Sequence, residues 1–370
     1  MTKTTTLSDI PLIREAEQKR TLLRLTLELT KRCNNNCIHC YNNLPANDKS
    51  AMEKELSTAY IKDLIDQAVD LGLLWILLTG GEIFLRSDFF DLYRHIIKKG
   101  VLVSIFSNAS LITPDHIHLF KKYPPRDIEI SVYGVTKSSY AKVSRTNTFL
   151  KVMDGIRRLQ EASIPFTLKS TVMKANYKHL KEITDFCNRH SNQPHRKFRF
   201  DPFLMLRTDH DRRRNQDILN QRLSIQEVLE LEKENGDRFE ALKKQCVKIQ
   251  SKNISDGSPE KLFKCSAGLN SCSIDCYGIF KLCSPLIHKD CVYNLKKGSL
   301  HDAWYNFVPK IRSLNSDNQA YHKTCSNCKL RDFCMWCPAF AGIETGKLDG
   351  QVEYFCNMAN KRYEFCINHV

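Results

Sequence analysis

Sixteen cysteines in a chain of 370 residues, unevenly placed, constrain this fold more than any other feature. Three crowd into residues 33–40, and most of the rest lie between 265 and 356. In an oxidising compartment so many cysteines read as disulfides; in a reducing one they read as metal ligands or catalytic groups. Residues 1–20 are polar and carry no apolar signal-peptide core. No apolar run reaches the ~18 residues of a membrane helix. The sequence therefore predicts a cytoplasmic chain with no membrane partner and cysteines committed to metal. Cys187, Cys246, Cys291 and Cys366 fit no spacing and read as ordinary thiols.

The length predicts one large domain and a smaller one. Apolar residues make up 42%, enough for a sizeable core. The formal net charge of +15 fits a basic, solvated surface as well as it fits an acidic partner, and a nucleic-acid partner is not expected from it.

Residues 22–204 alternate short apolar runs with amphipathic stretches. The runs are 22–30, 75–80, 102–108, 127–134, 166–172 and 197–204; helical patterns between them include 58–71, 88–99, 149–162 and 177–189. Six strands alternating with helices predict an α/β fold with a parallel sheet, a partial (β/α)6 TIM-like barrel. We divide the chain into a polar extension (1–20), the barrel domain (21–235), a linker (236–260) and a small cysteine-rich C-terminal domain (261–370), ordered by metal ligation rather than by a large apolar core. Residues 253–260 are a Ser/Gly/Pro loop at that boundary. The mixed charge of 207–222, including Arg207 and Arg214, reads as a solvated connection leading into a helix at 224–234, with a substrate-gripping arginine cluster as the sharper alternative.

Cys33, Cys37 and Cys40 follow the first predicted strand directly, where a parallel barrel places its active-site loops. Three thiolates on one loop can hold three irons of a four-iron, four-sulfur (4Fe–4S) cube, and complete protein ligation takes four. One iron is left open. The spacing resembles that of the radical S-adenosylmethionine (SAM) superfamily, which carries Cx3Cx2C here. The resemblance implies that the amine and carboxylate of SAM occupy the open iron. Reductive cleavage of SAM would then give a 5′-deoxyadenosyl radical that abstracts hydrogen from a substrate. A zinc knuckle lacking one ligand is the alternative.

Supporting segments fall where that family has them. Thr79-Gly80-Gly81-Glu82 ends the second predicted strand, and two glycines permit close backbone approach; the resemblance gives Gly80, Gly81 and Glu82 the SAM amino group. Ser107 and Asn108 end the third strand and could meet the ribose. Ser131 resembles a family serine at the ribose or carboxylate. Arg145 resembles the arginine that pairs with the SAM carboxylate, as planar charge-assisted donors would. His39 takes the place of an aromatic beside the adenine, stacking or hydrogen bonding rather than ligating metal. Leu204 lines the adenine pocket or is ordinary core.

Cys265, Gly278, Cys283, Cys325, Cys328, Cys334, Cys337 and Cys356 resemble the SPASM module, an auxiliary-cluster domain of radical SAM enzymes, with one departure: Cys334 and Cys337 are separated by two residues instead of three. The resemblance implies one or two auxiliary 4Fe–4S clusters, so the C-terminal domain would be iron–sulfur-binding. Cys265, Cys283 and Cys337 would serve the first, completed by Cys272 or else Cys276. Cys325, Cys328, Cys334 and Cys356 would serve the second. A four-cysteine zinc site is the rival reading of the paired Cx2C motifs.

Such enzymes mostly modify peptides, so the implied function is oxidative crosslinking or maturation of a peptide or protein. The implied partners are that substrate, a separate leader-recognition protein, and a reductase, flavodoxin or ferredoxin as electron donor; about twenty residues before the first strand are too few for a leader-binding domain. Radical modification of a small metabolite or cofactor precursor is the second hypothesis, and a non-catalytic iron–sulfur or zinc protein the third.

Overall fold

The structure is a computed structural model, and it describes residues 10–193, 198–250 and 261–369. Eleven strands are formed among these residues: β1 (Arg24–Thr30), β2 (Arg32–Cys33), β3 (Leu44–Pro45), β4 (Trp75–Gly80), β5 (Leu102–Ser107), β6 (Asp127–Ser131), β7 (Phe166–Thr171), β8 (Arg199–Asp201), β9 (Ser271–Ile274), β10 (Ile279–Lys281) and β11 (Val292–Asn294). Nine of them form one sheet in the order β11-β10-β9-β1-β4-β5-β6-β7-β8. Six of these, β1 and β4 to β8, run parallel with helices between them, the partial barrel expected from 22–204.

Strand alternation sets the two faces. Leu25, Leu27 and Leu29 of β1 are buried with Ile76 and Leu78 of β4 and Val103 and Ile105 of β5. The alternate positions of β1 are Arg24, Thr26, Glu28 and Thr30. The covering helices are amphipathic and capped: Ser57 accepts from Tyr60 N at the start of Thr58–Asp70, and Thr136 from Ser139 N at the start of Lys137–Ser144.

The sheet goes beyond the six strands read from the sequence. β9 lies parallel to β1, with Leu25 opposite Cys272 and Leu27 opposite Ile274. β10 and β11 follow as antiparallel neighbours. Two compact units result, and they interleave along the chain. The first comprises Met1–Gln221, Ser266–Ser284 and Val292–Pro309; the second comprises Arg222–Cys265, Pro285–Cys291 and Lys310–Val370. Residues 236–250 of the expected linker form the helix Gly236–Gln250, while 253–260 lie outside the described residues.

The second unit is built on the helices Ile225–Glu234, Gly236–Gln250 and Glu353–His369. Its core holds Leu242, Phe333, Ala359 and the disulfide Cys246–Cys366. That disulfide corrects the reading of Cys246 and Cys366 as ordinary thiols. A separation of 120 residues leaves no spacing to recognise. Arg362 binds Glu232 through two nitrogens and the Phe333 carbonyl at 2.9 Å, and both side chains are buried. Removing Arg362 leaves buried Glu232 with only the distant Arg238, at 3.9 Å, so Arg362→Ala should cost about 3 kcal/mol in a denaturant titration.

Candidate active site at the mouth of the barrel

The cysteine loop leaves the carboxyl end of β1 and is held from several sides. Asn36 N donates to the Ser144 carbonyl (2.9 Å) and Ile38 N to the Val143 carbonyl (3.0 Å), which fixes the loop on the end of helix Lys137–Ser144. Asn35 is buried at 3% exposure. Its Oδ1 accepts from Thr146 (3.0 Å) and Thr148 (2.8 Å), its Nδ2 donates to Tyr140 (3.2 Å), and its carbonyl accepts from Asn43 (3.1 Å). Asn34 donates to Ser110 at 2.8 Å and accepts from Asn108 at 2.9 Å. Three consecutive asparagines thus shape the loop, and that run is the sequence signal for them.

Gly80 and Gly81 do approach a neighbour closely, and the neighbour is the chain itself. A Cβ on Gly80 would lie 2.2 Å from the Thr30 carbonyl oxygen, and one on Gly81 2.1 Å from that of Arg32. Gly81 N donates to Thr30 O (2.7 Å) and Glu82 N to Arg32 O (2.9 Å). Gly80 also has φ +131°, which favours glycine. The end of β4 is thereby clamped against the segment entering Cys33.

Glu82 is fully buried. Its carboxylate accepts from Ser107 Oγ (2.9 and 3.1 Å), Asn108 N (2.8 Å) and Phe84 N (3.3 Å). Burial lifts its carboxyl to about 7 against these hydrogen bonds. Asn108 Nδ2 reaches Cys33 Sγ at 3.8 Å, and Asn35 N donates to the same sulfur at 3.4 Å. Burial pushes the Cys33 thiol up to about 12, with the Glu82 charge adding to the rise. Cys37 is raised too, first by burial and then by the charges of Cys40 and Cys33.

His39 is half-buried against Tyr133, edge-on at 4.9 Å between centroids, and its buried Nδ1 has no hydrogen-bond partner among the described residues. Burial holds its imidazole at about 4, so it is neutral. Ser131 ends β6, two residues before Tyr133. Leu204 is buried. Arg145 is the left-handed cap of helix Lys137–Ser144, φ 53°, and its Nη2 donates to Asp217 at 2.9 Å. Tyr133 and Tyr140 wall the loop; sequence reasoning missed both, although Tyr133 adjoins Ser131.

Glu28 was also missed. It is 2% exposed, yet it makes no hydrogen bond or ion pair among the described residues. Burial raises its carboxyl first; Lys281 and Lys31 oppose this and Asp275 adds to it. A folded-state pKa above the unfolded one means stability that is lost as pH rises. Glu28→Gln should therefore stabilise the protein by about 1–3 kcal/mol at about pH 8, and by less as pH falls towards the carboxylate range. Melting temperatures across pH check this; a gain that does not grow with pH would contradict it.

Among the described residues no three metal-binding side chains stand at the distances a single ion needs. A four-iron cube spreads its thiolates over separate corners. The donor set suits it: three sulfurs on one loop, backbone and amide N–H groups directed at Cys33, and burial that disfavours thiolates unless a positive group joins them.

In the second unit Cys325, Cys328, Cys334 and Cys356 gather around one cavity of about 200 Å³, bordered also by Arg331, Trp336 and Gln351. Burial lifts the Cys334 thiol to about 11, with the charges of Cys356, Cys328 and Cys325 adding. Cys337 in the same unit is raised by burial, and Cys265 contributes. In the first unit Cys272 is buried on β9 and Cys276 lies in the turn after it beside Asp275; Cys283 is partly buried.

Residues 27–187 match the model of the Radical SAM superfamily. Among curated proteins it is similar to the AdoMet-dependent heme synthase of Methanosarcina barkeri, 31% identical over 158 residues, covering 42% of this chain and 44% of that protein. It is also similar to the mycofactocin maturase MftC of Mycobacterium tuberculosis, 28% identical over 167 residues, covering 45% and 42%. The chain thus spans less than half the length of these relatives. Among solved structures it shares its fold with anSMEcpe with bound AdoMet (TM-score 0.62, 14% identity, 94% of this chain and 93% of that one) and Streptococcus suis SuiB bound to S-adenosylmethionine (TM-score 0.60, 16% identity, 93% and 78%). No helix among the described residues is long and apolar enough to cross a membrane.

Proposed function

We propose that this chain is a radical SAM enzyme that oxidatively modifies a peptide or protein. The carrying observation is the three-cysteine loop at the barrel mouth, with Cys37 buried, the Cys33 and Cys37 thiols raised by burial, and N–H donors directed at Cys33, which is a poor home for free cysteine and a good one for an iron cluster. Cys33, Cys37 and Cys40 would hold three irons of a 4Fe–4S cluster, with SAM on the fourth. When bound, this pair supplies reductive cleavage of SAM and a hydrogen-abstracting adenosyl radical. Gly80, Gly81 and Glu82 would orient the SAM amine, Ser107, Asn108 and Ser131 its ribose side, and Arg145 its carboxylate once released from Asp217. His39, Tyr133 and Leu204 would wall the adenine. Cys325, Cys328, Cys334 and Cys356 would hold an auxiliary cluster. A cytoplasmic reductase, flavodoxin or ferredoxin would supply electrons.

A small-metabolite substrate is the second reading. It is favoured by similarity to heme synthases. The first test is anaerobic reconstitution with iron and sulfide, then SAM and dithionite. 5′-Deoxyadenosine should form, and Cys40→Ala should form none; equal yields would sink the enzyme reading. Mass spectrometry of separate peptide and small-molecule fractions, treated with the active protein, then divides the two substrates.

A further inference from the structure

Two arginines from the charged connection lie against the cysteine loop. Arg207 is 1% exposed. Its Nη1 donates to the Cys40 carbonyl and to Asn43 Oδ1, both at 3.1 Å, and its Nη2 to the Asn43 carbonyl at 3.2 Å. Asp209 takes its Nε at 2.8 Å and its Nη2 as well, so that charge is neutralised by a bidentate partner. The next residue, Thr208, donates through its N to the Tyr41 carbonyl at 2.9 Å.

Arg214 comes from the helix Arg212–Gln221. Its Nη1 donates to the Asn43 carbonyl (3.2 Å), and its Nη2 to Asn43 Oδ1 (2.7 Å) and Asn36 Oδ1 (3.2 Å). All these acceptors are neutral. Among the described residues no carboxylate pairs with Arg214, although Asp209 and Asp211 lie near enough to influence it. Both arginines therefore converge on Asn43, and their bonds reach the chain on either side of Cys37 and Cys40.

We propose that the two arginines play complementary parts: Arg207, charge-neutralised, anchors the loop in its cluster-bearing shape, and Arg214, whose guanidinium bonds only neutral acceptors, sets a positive charge beside the cysteine loop that raises the cluster's electron affinity. This rests on the cluster proposed above. A fixed cation favours whichever redox state carries more negative charge, so it favours the reduced cluster. Both would act through the loop, on Asn36, Asn43 and the Cys40 carbonyl, and are positioning residues.

The test uses the full chain, reconstituted anaerobically, as wild type and as Arg214→Gln, Arg214→Lys, Arg213→Gln and Arg207→Gln. Arg213 is exposed on the same helix and makes no hydrogen bond to the loop among the described residues, so its loss controls for overall charge. Iron is counted, and the cluster whose electron paramagnetic resonance signal changes on adding SAM is titrated potentiometrically. R214Q should load iron as wild type does and lose electron affinity about tenfold, about 59 mV for one electron. R214K and R213Q should titrate as wild type. R207Q should lose iron selectively from the SAM-responsive cluster. The proposal is overturned if R214Q titrates as wild type or no lower than R213Q, or if R207Q loads fully. Should R214Q fail to load, R214K decides: wild-type affinity supports the charge role, and lowered affinity refutes it. A wild-type chain that takes up no SAM-responsive cluster defeats the underlying function, a result distinct from any of these.

Discussion

Cys37→Ala should leave a folded protein that has lost about four irons per chain and all ability to cleave SAM. The side chain is small, so its removal costs little packing beyond the buried thiol itself. What vanishes is one of the three sulfurs at the barrel mouth, and a cube held at two corners is not retained. Cys328→Ala is the informative partner. Cys328 belongs to the other unit and borders the second cysteine cavity. Its loss should remove a similar amount of iron and leave 5′-deoxyadenosine formation in place. Iron analysis, circular dichroism and chromatography of the SAM products check both variants. Cleavage that survives in C37A would refute the assignment of the first trio.

The second large effect is expected at Gly81. Alanine there would set a methyl 2.1 Å from the Arg32 carbonyl, which is backbone and cannot step aside as a side-chain tip can. Overpacking of this kind costs about 1–3 kcal/mol or more. Here the displaced segment is the one that delivers Cys33, so cluster loading should fall together with the melting temperature. Gly100 offers the contrast. It too has a positive φ, +77°, but nothing lies within 4 Å of an added Cβ. Gly100→Ala should therefore cost only about 1 kcal/mol of backbone strain and leave iron content unchanged. Equal losses in the two variants would show that the close approach at Gly81 is not what matters.

The six parallel strands are legible in the sequence because each is a short apolar run flanked by amphipathic helices of readable period. β9, β10 and β11 are not, for a physical reason. Each has three or four residues, among them Ser271, Cys272, Ser273 and Lys281, too short and too polar to show alternation. The place of β9 beside β1 depends on pairing across more than two hundred residues of chain, and β10 and β11 join the sheet only through β9. The cysteine loop is legible by spacing alone, but its supports are not. Thr146 and Thr148 reach Asn35 from 111 and 113 residues away, and Arg207 reaches Asn43 from 164. Charge density around 207–222 marks a polar segment without saying whether it meets solvent, substrate or the chain's own carbonyls. Glu28 is legible only as a charge inside an apolar strand. Its burial without a partner among the described residues is a property of its three-dimensional neighbourhood.

Because β9 closes the flank of β1, a fragment ending near residue 235 would not be a trimmed catalytic domain. It would present the main-chain donors and acceptors of the strand feeding the cysteine loop as a bare rim, open to pairing with other copies. Expression designs that aim to isolate the barrel should therefore retain the chain at least through Asn294, where the last of these late-arriving strands ends.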